Sequence, residues 1–144
     1  MILEIHVPTT AQPAKVFAYL ADFTTTTEWD PGTVETTLGS GHGGVGTTYL
    51  NQSRFAGRVS ELTYTVVERD EPRMIRLRGA NASVTAIDTI SIATAGKESL
   101  VTYRAEFAFR GMARLASPFL GRAFSKLRAD AECGLRDALA RLEE

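Results

Sequence analysis

The stretch SPFLGRAFSKLRADAECGLRDALARL, residues 117–142, decides how this chain folds. Phe119, Leu120, Ala123, Phe124, Leu127, Ala131, Leu135, Ala138 and Leu142 recur every three or four positions, which places them on one stripe of a helix. Ser117-Pro118 is a start signal, because a serine caps a free N–H and a proline fits the first turn. About 25 residues at 1.5 Å each give a helix of about 37 Å, long enough to cross a whole sheet. A shorter turn is expected over residues 112–116.

What precedes this helix supplies the sheet. β-branched and aromatic residues predict strands over 33–38, 45–55, 58–68, 73–78, 83–94 and 99–109, and an alternating first strand over 2–7 that Pro8 should end. The connections between successive strands are short, so neighbours run antiparallel; parallel ones need crossovers of about a dozen residues. Between the first and second strands, Pro13 and the spacing of Val16, Phe17 and Leu20 predict a helix over 13–21. Residues 23–29 read as a second short helix, stopped by Asp30-Pro31-Gly32. The fold class is therefore α+β: a seven-stranded antiparallel sheet, two short helices between strands 1 and 2, and one long C-terminal helix. One helix covering one face of a curved sheet leaves a hollow between them.

Composition narrows the class. The 144 residues suit one domain, and 44% hydrophobic with 23% charged residues suits a globular chain. Sixteen basic against seventeen acidic residues leave a net charge of -1, so nothing draws the protein to nucleic acid. Residues 1–7 lack a signal-peptide pattern and no stretch reaches the roughly 18 apolar residues of a spanning helix. Cys133, the single cysteine, cannot form an intrachain disulfide. A cytoplasmic monomer or homodimer is expected.

The layout, with Glu28-Trp29-Asp30-Pro31 after the first helices, Gly44-Val45-Gly46-Thr47 opening the third strand, and residues 86–92 followed by Val101-Thr102-Tyr103-Arg104, resembles the polyketide cyclase/dehydrase-like proteins of the START-related (SRPBCC) superfamily. The resemblance spans essentially the whole chain. It implies a helix-grip fold whose sheet wraps the last helix around a deep cavity. It also implies a lipid, polyketide or other apolar ligand, with cyclisation or dehydration in some members. No universal catalytic residue comes with it, so only the cavity and the Trp29-Asp30-Pro31 segment beside it are carried over.

Period-two alternation assigns faces within that hollow. In the last strand Val101, Tyr103, Ala105, Phe107 and Phe109 face the helix; in the one before, Val84, Ala86, Asp88, Ile90 and Ile92 do. Asp88 is then a carboxylate among apolar residues, either an acid/base or ligand-binding group, or one satisfied by a neighbouring Arg, Thr or Tyr or lying near the sheet edge. Tyr49, Asn51 and Ser53 share one face of the third strand, which either gives the hollow a polar wall or is a solvated polar face. Leu62, Tyr64 and Val66 face inward on the fourth strand, and Ile75 and Leu77 on the fifth. Trp29, alone in its turn, closes the pocket mouth or staples the short helix to the core, with Glu28 and Asp30 expected at the surface. The candidate ligand contacts are Trp29, Tyr49, Asn51, Tyr64, Leu77, Asp88, Tyr103, Phe107, Phe119 and Ala123.

Other motifs carry less. Gly41-His42-Gly43-Gly44-Val45-Gly46 spells G-x-G-x-x-G, but a strand follows where dinucleotide binding requires a helix, so the reading is a loop at the cavity rim. His6, His42 and Cys133 show no metal-ligand spacing, and neither histidine has a serine elbow. Neither metal nor cofactor is expected. Arg110, Arg114, Arg122, Lys126 and Arg128 make the start of the C-terminal segment basic, balanced later by Asp130, Glu132, Asp137, Glu143 and Glu144.

Three functions fit. The first is enclosure of an apolar or aromatic molecule, with Asp88, Tyr49 and Asn51 reading its polar groups. The second is a cyclase or dehydratase in which Asp88 and a pocket tyrosine move protons. The third is a regulatory or toxin-like role, which expects a filled interior.

Overall fold

A computed structural model describes residues 1–143; Glu144 and the Ser117 side chain, with the cap expected of it, lie outside the described residues. β1 (Ile2–Thr9) leads into α1 (Pro13–Ala21), a 3₁₀ turn (Phe23–Thr25) and α2 (Thr26–Trp29). Then follow β2 (Thr33–Ser40), β3 (Thr48–Phe55), β4 (Arg58–Asp70), β5 (Met74–Ala80), β6 (Val84–Ala95) and β7 (Glu98–Phe109). α3 (Met112–Ala116), a second 3₁₀ turn (Ser117–Phe119) and α4 (Gly121–Leu142) close the chain. The strands form one antiparallel sheet in the order β1-β7-β6-β5-β4-β3-β2. This is the expected helix-grip arrangement.

Chain order explains the topology. Five consecutive hairpins carry the chain from β2 to β7, and β1 pairs beside β7, so the first strand is an edge. Pro8 does not end it. Pro8 lies opposite Leu100 on that edge, where a missing donor costs the sheet no bond on the free side. Register shifts at Thr33/Glu35, Leu38/Ser40 and Val66/Glu68 interrupt the ladders of β2 and β4 and bend that half of the sheet.

The core fills one half of the concave face. Phe17, Leu20, Trp29, Ile75, Leu77, Ile90, Leu135 and Leu139 are almost fully buried. α4 is admitted to this core by Gly134, where a Cβ would meet the Trp29 carbonyl oxygen.

Three expectations are corrected here. The long helix begins at Gly121 rather than 117, because Leu120 at φ -95°, ψ 4° departs from α geometry and confines Ser117-Pro118 to one 3₁₀ turn. Phe119 therefore falls out of phase with the stripe and stands 85% exposed. β3 begins at Thr48 rather than 45: Gly46 turns at φ +95° and leaves Val45 exposed.

Candidate functional site

The other half of the concave face is not filled. A cavity of about 130 Å³ lies between the sheet and α4. β3 and β4 supply Asn51, Ser53, Phe55, Ser60, Leu62 and Tyr64; β6 and β7 supply Val84, Asp88, Tyr103, Ala105, Phe107 and Phe109. α4 closes it with Phe124, Leu127 and Ala131, and the α2–β2 turn adds Asp30.

Its inner end is polar. Asp88 is 2% exposed and accepts a hydrogen bond at 2.6 Å from the Tyr103 hydroxyl on its Oδ2, while its Oδ1 has no partner among the described residues. Asp88 and Tyr103 approach each other because their strands are adjacent and both side chains take the concave face, Asp88 pairing with Ala105 and Tyr103 with Ile90. Burial pushes the Asp88 carboxyl up to about 7, against the pull of the Tyr103 hydroxyl and with a further push from the Asp30 charge. Burial and the Asp88 charge hold Tyr64 and Tyr103 well above an ordinary phenol. Both hydroxyls stay protonated at neutral pH.

Asp30 shapes the turn it sits in. Its Oδ1 accepts from the Gly32 amide at 3.0 Å and its Oδ2 from the Thr33 hydroxyl at 3.2 Å, an Asx turn that holds the carboxylate against the cavity. Burial raises its pKa, and those two donors lower it. Beside it a chain of hydrogen bonds joins the elements: Ser53 donates to Asn51 Oδ1 at 2.7 Å, Asn51 Nδ2 donates to Thr36 Oγ1 at 2.8 Å, and the Thr36 and Thr26 hydroxyls meet at 2.7 Å. Asn51 and Thr36 are thus fixed in position, leaving the polar wall pre-formed.

The outer end is aromatic. Phe124 of α4 packs on Phe55, Phe107 and Phe109 with ring centroids 4.6, 5.2 and 6.2 Å away. Phe55, Phe107 and Phe109 are half-exposed, whereas Leu3, Tyr64, Asp88 and Tyr103 are buried, so this end faces solvent. Phe124, 9% exposed, sits at the centre of these rings.

Of the sequence-derived candidates, Asn51, Tyr64, Asp88, Tyr103 and Phe107 are brought together on the cavity wall. The other five stand elsewhere. Trp29 is buried behind the wall, its ring edge-on to Tyr103 with centroids 5.2 Å apart and its Nε1 without a partner among the described residues. Leu77 is sealed in the core, and Tyr49 packs on Phe23 at 5.9 Å. Ala123 is half-buried beside Phe124, whose ring takes the inward position instead, and Phe119 faces solvent.

Two corrections concern the rim. Asp30 lines the cavity, although carboxylates in a turn read as surface groups; its position before Pro31-Gly32 and after the sole tryptophan was the available signal. The glycine loop does not border the cavity. It precedes β3, whereas the cavity takes the opposite end of that strand, Asn51 to Phe55. Among the described residues no group of three or more His, Cys, Asp or Glu side chains could hold a metal ion, and no helix is long and apolar enough to cross a membrane.

Comparison with known proteins agrees with this fold. The family model described as "Polyketide cyclase / dehydrase and lipid transport" matches residues 3–144. No curated protein sequence matches the chain. Among solved structures, the ZhuI aromatase/cyclase from a Streptomyces species superposes with a TM-score of 0.81 at 15% identity, over 98% of this chain and 94% of that one. A START superfamily protein from Mycobacterium smegmatis gives 0.79 at 12% identity, over 98% of each. A major latex-like protein from Panax ginseng gives 0.69 at 13%, over 96% of each. At such identities the superpositions speak for the fold alone.

Proposed function

Because this chain belongs to the polyketide cyclase / dehydrase and lipid transport family, we propose that it encloses a small, largely apolar molecule between its sheet and α4. The observation that carries this reading is the cavity itself: apolar over most of its wall, with a pre-formed polar end at Asp88, Tyr103 and Asn51. Its size selects among ligands. An apolar cavity of about 150 Å³ holds a benzene ring, so 130 Å³ suits a single-ring aromatic metabolite, or one end of a longer lipid or polyketide. A ring the size of a phenylalanine side chain buries about 200 Å², worth about 5 kcal/mol before the costs of association. The polar end therefore sets specificity. One ligand-binding domain over the whole chain, acting in the cytoplasm as a monomer or homodimer without a cofactor, completes the proposal.

Native mass spectrometry of freshly purified protein tests it. Wild type should retain a small molecule that an Ala105→Leu variant, with the cavity wall built inward, has lost. A wild type that carries nothing, and whose amide resonances for cavity residues do not move with added toluene, would sink the reading.

A second reading is favoured by the Asp88–Tyr103 pair. A carboxyl titrating near neutrality and bonded to a phenol is suited to take a proton from a carbon beside a carbonyl and return one to a departing hydroxyl, as cyclisation and dehydration require. If the protein is such an enzyme, Asp88→Asn abolishes turnover and keeps binding; unchanged turnover removes the mechanism. The regulatory or toxin-like alternative expects a solid interior, and the cavity counts against it.

A further inference from the structure

Among the described residues, the two carboxylates that line the cavity, Asp88 and Asp30, form no ion pair with a cationic side chain. Asp88 is 2% exposed and its Oδ1 has no partner among the described residues, and Asp30 lines the same space. Among the described lining residues the one cationic residue is Arg54. Arg54 is exposed and alternates along β3 with the exposed Leu50 and Gln52, on the face opposite Asn51 and Ser53, and its backbone amide donates to the Gly32 carbonyl at 2.7 Å. A buried anion without a counter-ion is costly to the protein, and a ligand bearing positive charge relieves that cost. The remaining wall suits the same charge. Phe55, Phe107, Phe109 and Phe124 present rings whose negative faces attract cations and whose area receives an aromatic group.

We propose that the ligand is a protonated primary amine carried on a single aromatic ring, its ammonium held by the carboxylates of Asp88 and Asp30 and its ring by Phe55, Phe107 and Phe124. The assignment rests on the cavity-binding reading above and narrows it. An ammonium supplies three donors, enough for Asp88 Oδ1 and an Asp30 oxygen together. The Asp88 Oδ2 keeps its bond from Tyr103. A fatty acid or other carboxylate would add a third negative charge to the pair, and a neutral alcohol would leave the charge unbalanced.

The titratable groups that face Asp88 are Tyr103 from β7, Tyr64 from β4 and Asp30 from the α2–β2 turn. α4 contributes Phe124, Leu127 and Ala131, β1 contributes Leu3, and none of these titrates. Both tyrosines stay neutral through pH 8, so the charge of the site between pH 5.5 and 8 is set by the carboxylates. An alkylamine stays cationic throughout that range. Binding should therefore be stronger at pH 8, where Asp88 is ionised, and should release protons near neutrality as the amine draws Asp88 to its charged form.

Calorimetric titration of the intact protein with benzylamine, benzyl alcohol and benzoate, three ring compounds differing in charge, tests this. At pH 8 benzylamine should bind at least tenfold tighter than benzyl alcohol, with benzoate weakest. The advantage should shrink several-fold at pH 5.5, and Asp88→Asn should reduce benzylamine affinity at least tenfold while moving benzyl alcohol less than threefold. Should that variant not fold, the wild-type ligand series and its pH dependence still decide. Benzyl alcohol or benzoate binding as tightly as benzylamine at pH 8 overturns the amine assignment and leaves the cavity reading standing. Binding by none of the three overturns both.

Discussion

A Cβ on Gly134 would lie 2.0 Å from the carbonyl oxygen of Trp29, so α4 crosses α2 at a point that only glycine permits. Two effects compete when Gly134 becomes alanine. Alanine improves helix propensity by up to about 1 kcal/mol, while forcing a methyl group into a packed interface costs about 1–3 kcal/mol. Here the obstacle is backbone, which cannot rotate away, so the steric cost wins. Gly134→Ala should lose about 2 kcal/mol in urea unfolding with an unchanged m-value, and equal or greater stability would contradict this packing. The displacement should also reach the site, because Trp29 abuts Tyr103 at 5.2 Å.

The Asp88 carboxyl supplies a second test through pH. Its pKa is near 4 in an unfolded chain and about 7 in the fold. Between those values the native state binds a proton that the unfolded chain has released, so stability falls as pH rises from about 4 to about 7 and levels off above. The full span is on the order of 4 kcal/mol at 1.36 kcal/mol per pH unit. Asp88→Asn removes the titration. Measured by chemical denaturation at pH 5 and pH 8, wild type should lose stability relative to this variant; identical pH dependence would show that Asp88 does not titrate in that interval.

Tyr103→Phe isolates the hydrogen bond from the ring. The ring still packs on Trp29, but Asp88 loses the 2.6 Å bond to its Oδ2. A hydrogen bond to a charged group contributes about 1.5–3 kcal/mol, and it favours the ionised form. The variant should therefore be less stable than wild type by about 2 kcal/mol at pH 8 and by less at pH 5, with the pH midpoint of the stability change moved upward. A loss equal at both pH values would mean that the hydroxyl does not hold the carboxylate.

Much of this was legible because it follows from local period. Alternation in β6 and β7 puts Asp88 and Tyr103 on one face, and the pairing of the two strands joins them. The stripe Phe124, Leu127, Ala131, Leu135 likewise follows from helical spacing. What local pattern does not carry is phase at element ends and depth within the molecule. A helix beginning at Gly121 instead of 117 turns Phe119 outward and gives Phe124 the place that Ala123 was expected to share. Tyr49 and Asn51 share a strand face, yet the first meets Phe23 and the second meets the cavity, a difference set by where α1 and the first 3₁₀ turn lie across the sheet. Asp30 required both its Asx turn and the helix above it, neither of which a period reveals.

Phe124 is the residue on which access to the cavity turns. It is 9% exposed and wedged among three half-exposed rings at the outer end. Replacing a buried phenylalanine by alanine costs about 3–5 kcal/mol; at this rim, where solvent can fill the space, about 3 kcal/mol is expected. The effect on binding should separate entry from affinity. If the ring is the plug, Phe124→Ala speeds both association and dissociation of a ring-sized ligand such as benzylamine, the latter more, because an aromatic wall is also lost. Stopped-flow measurement at 25 °C distinguishes this from a purely structural wall: faster dissociation with an unchanged association rate would place the entrance elsewhere in the sheet–helix seam and leave Phe124 as lining alone.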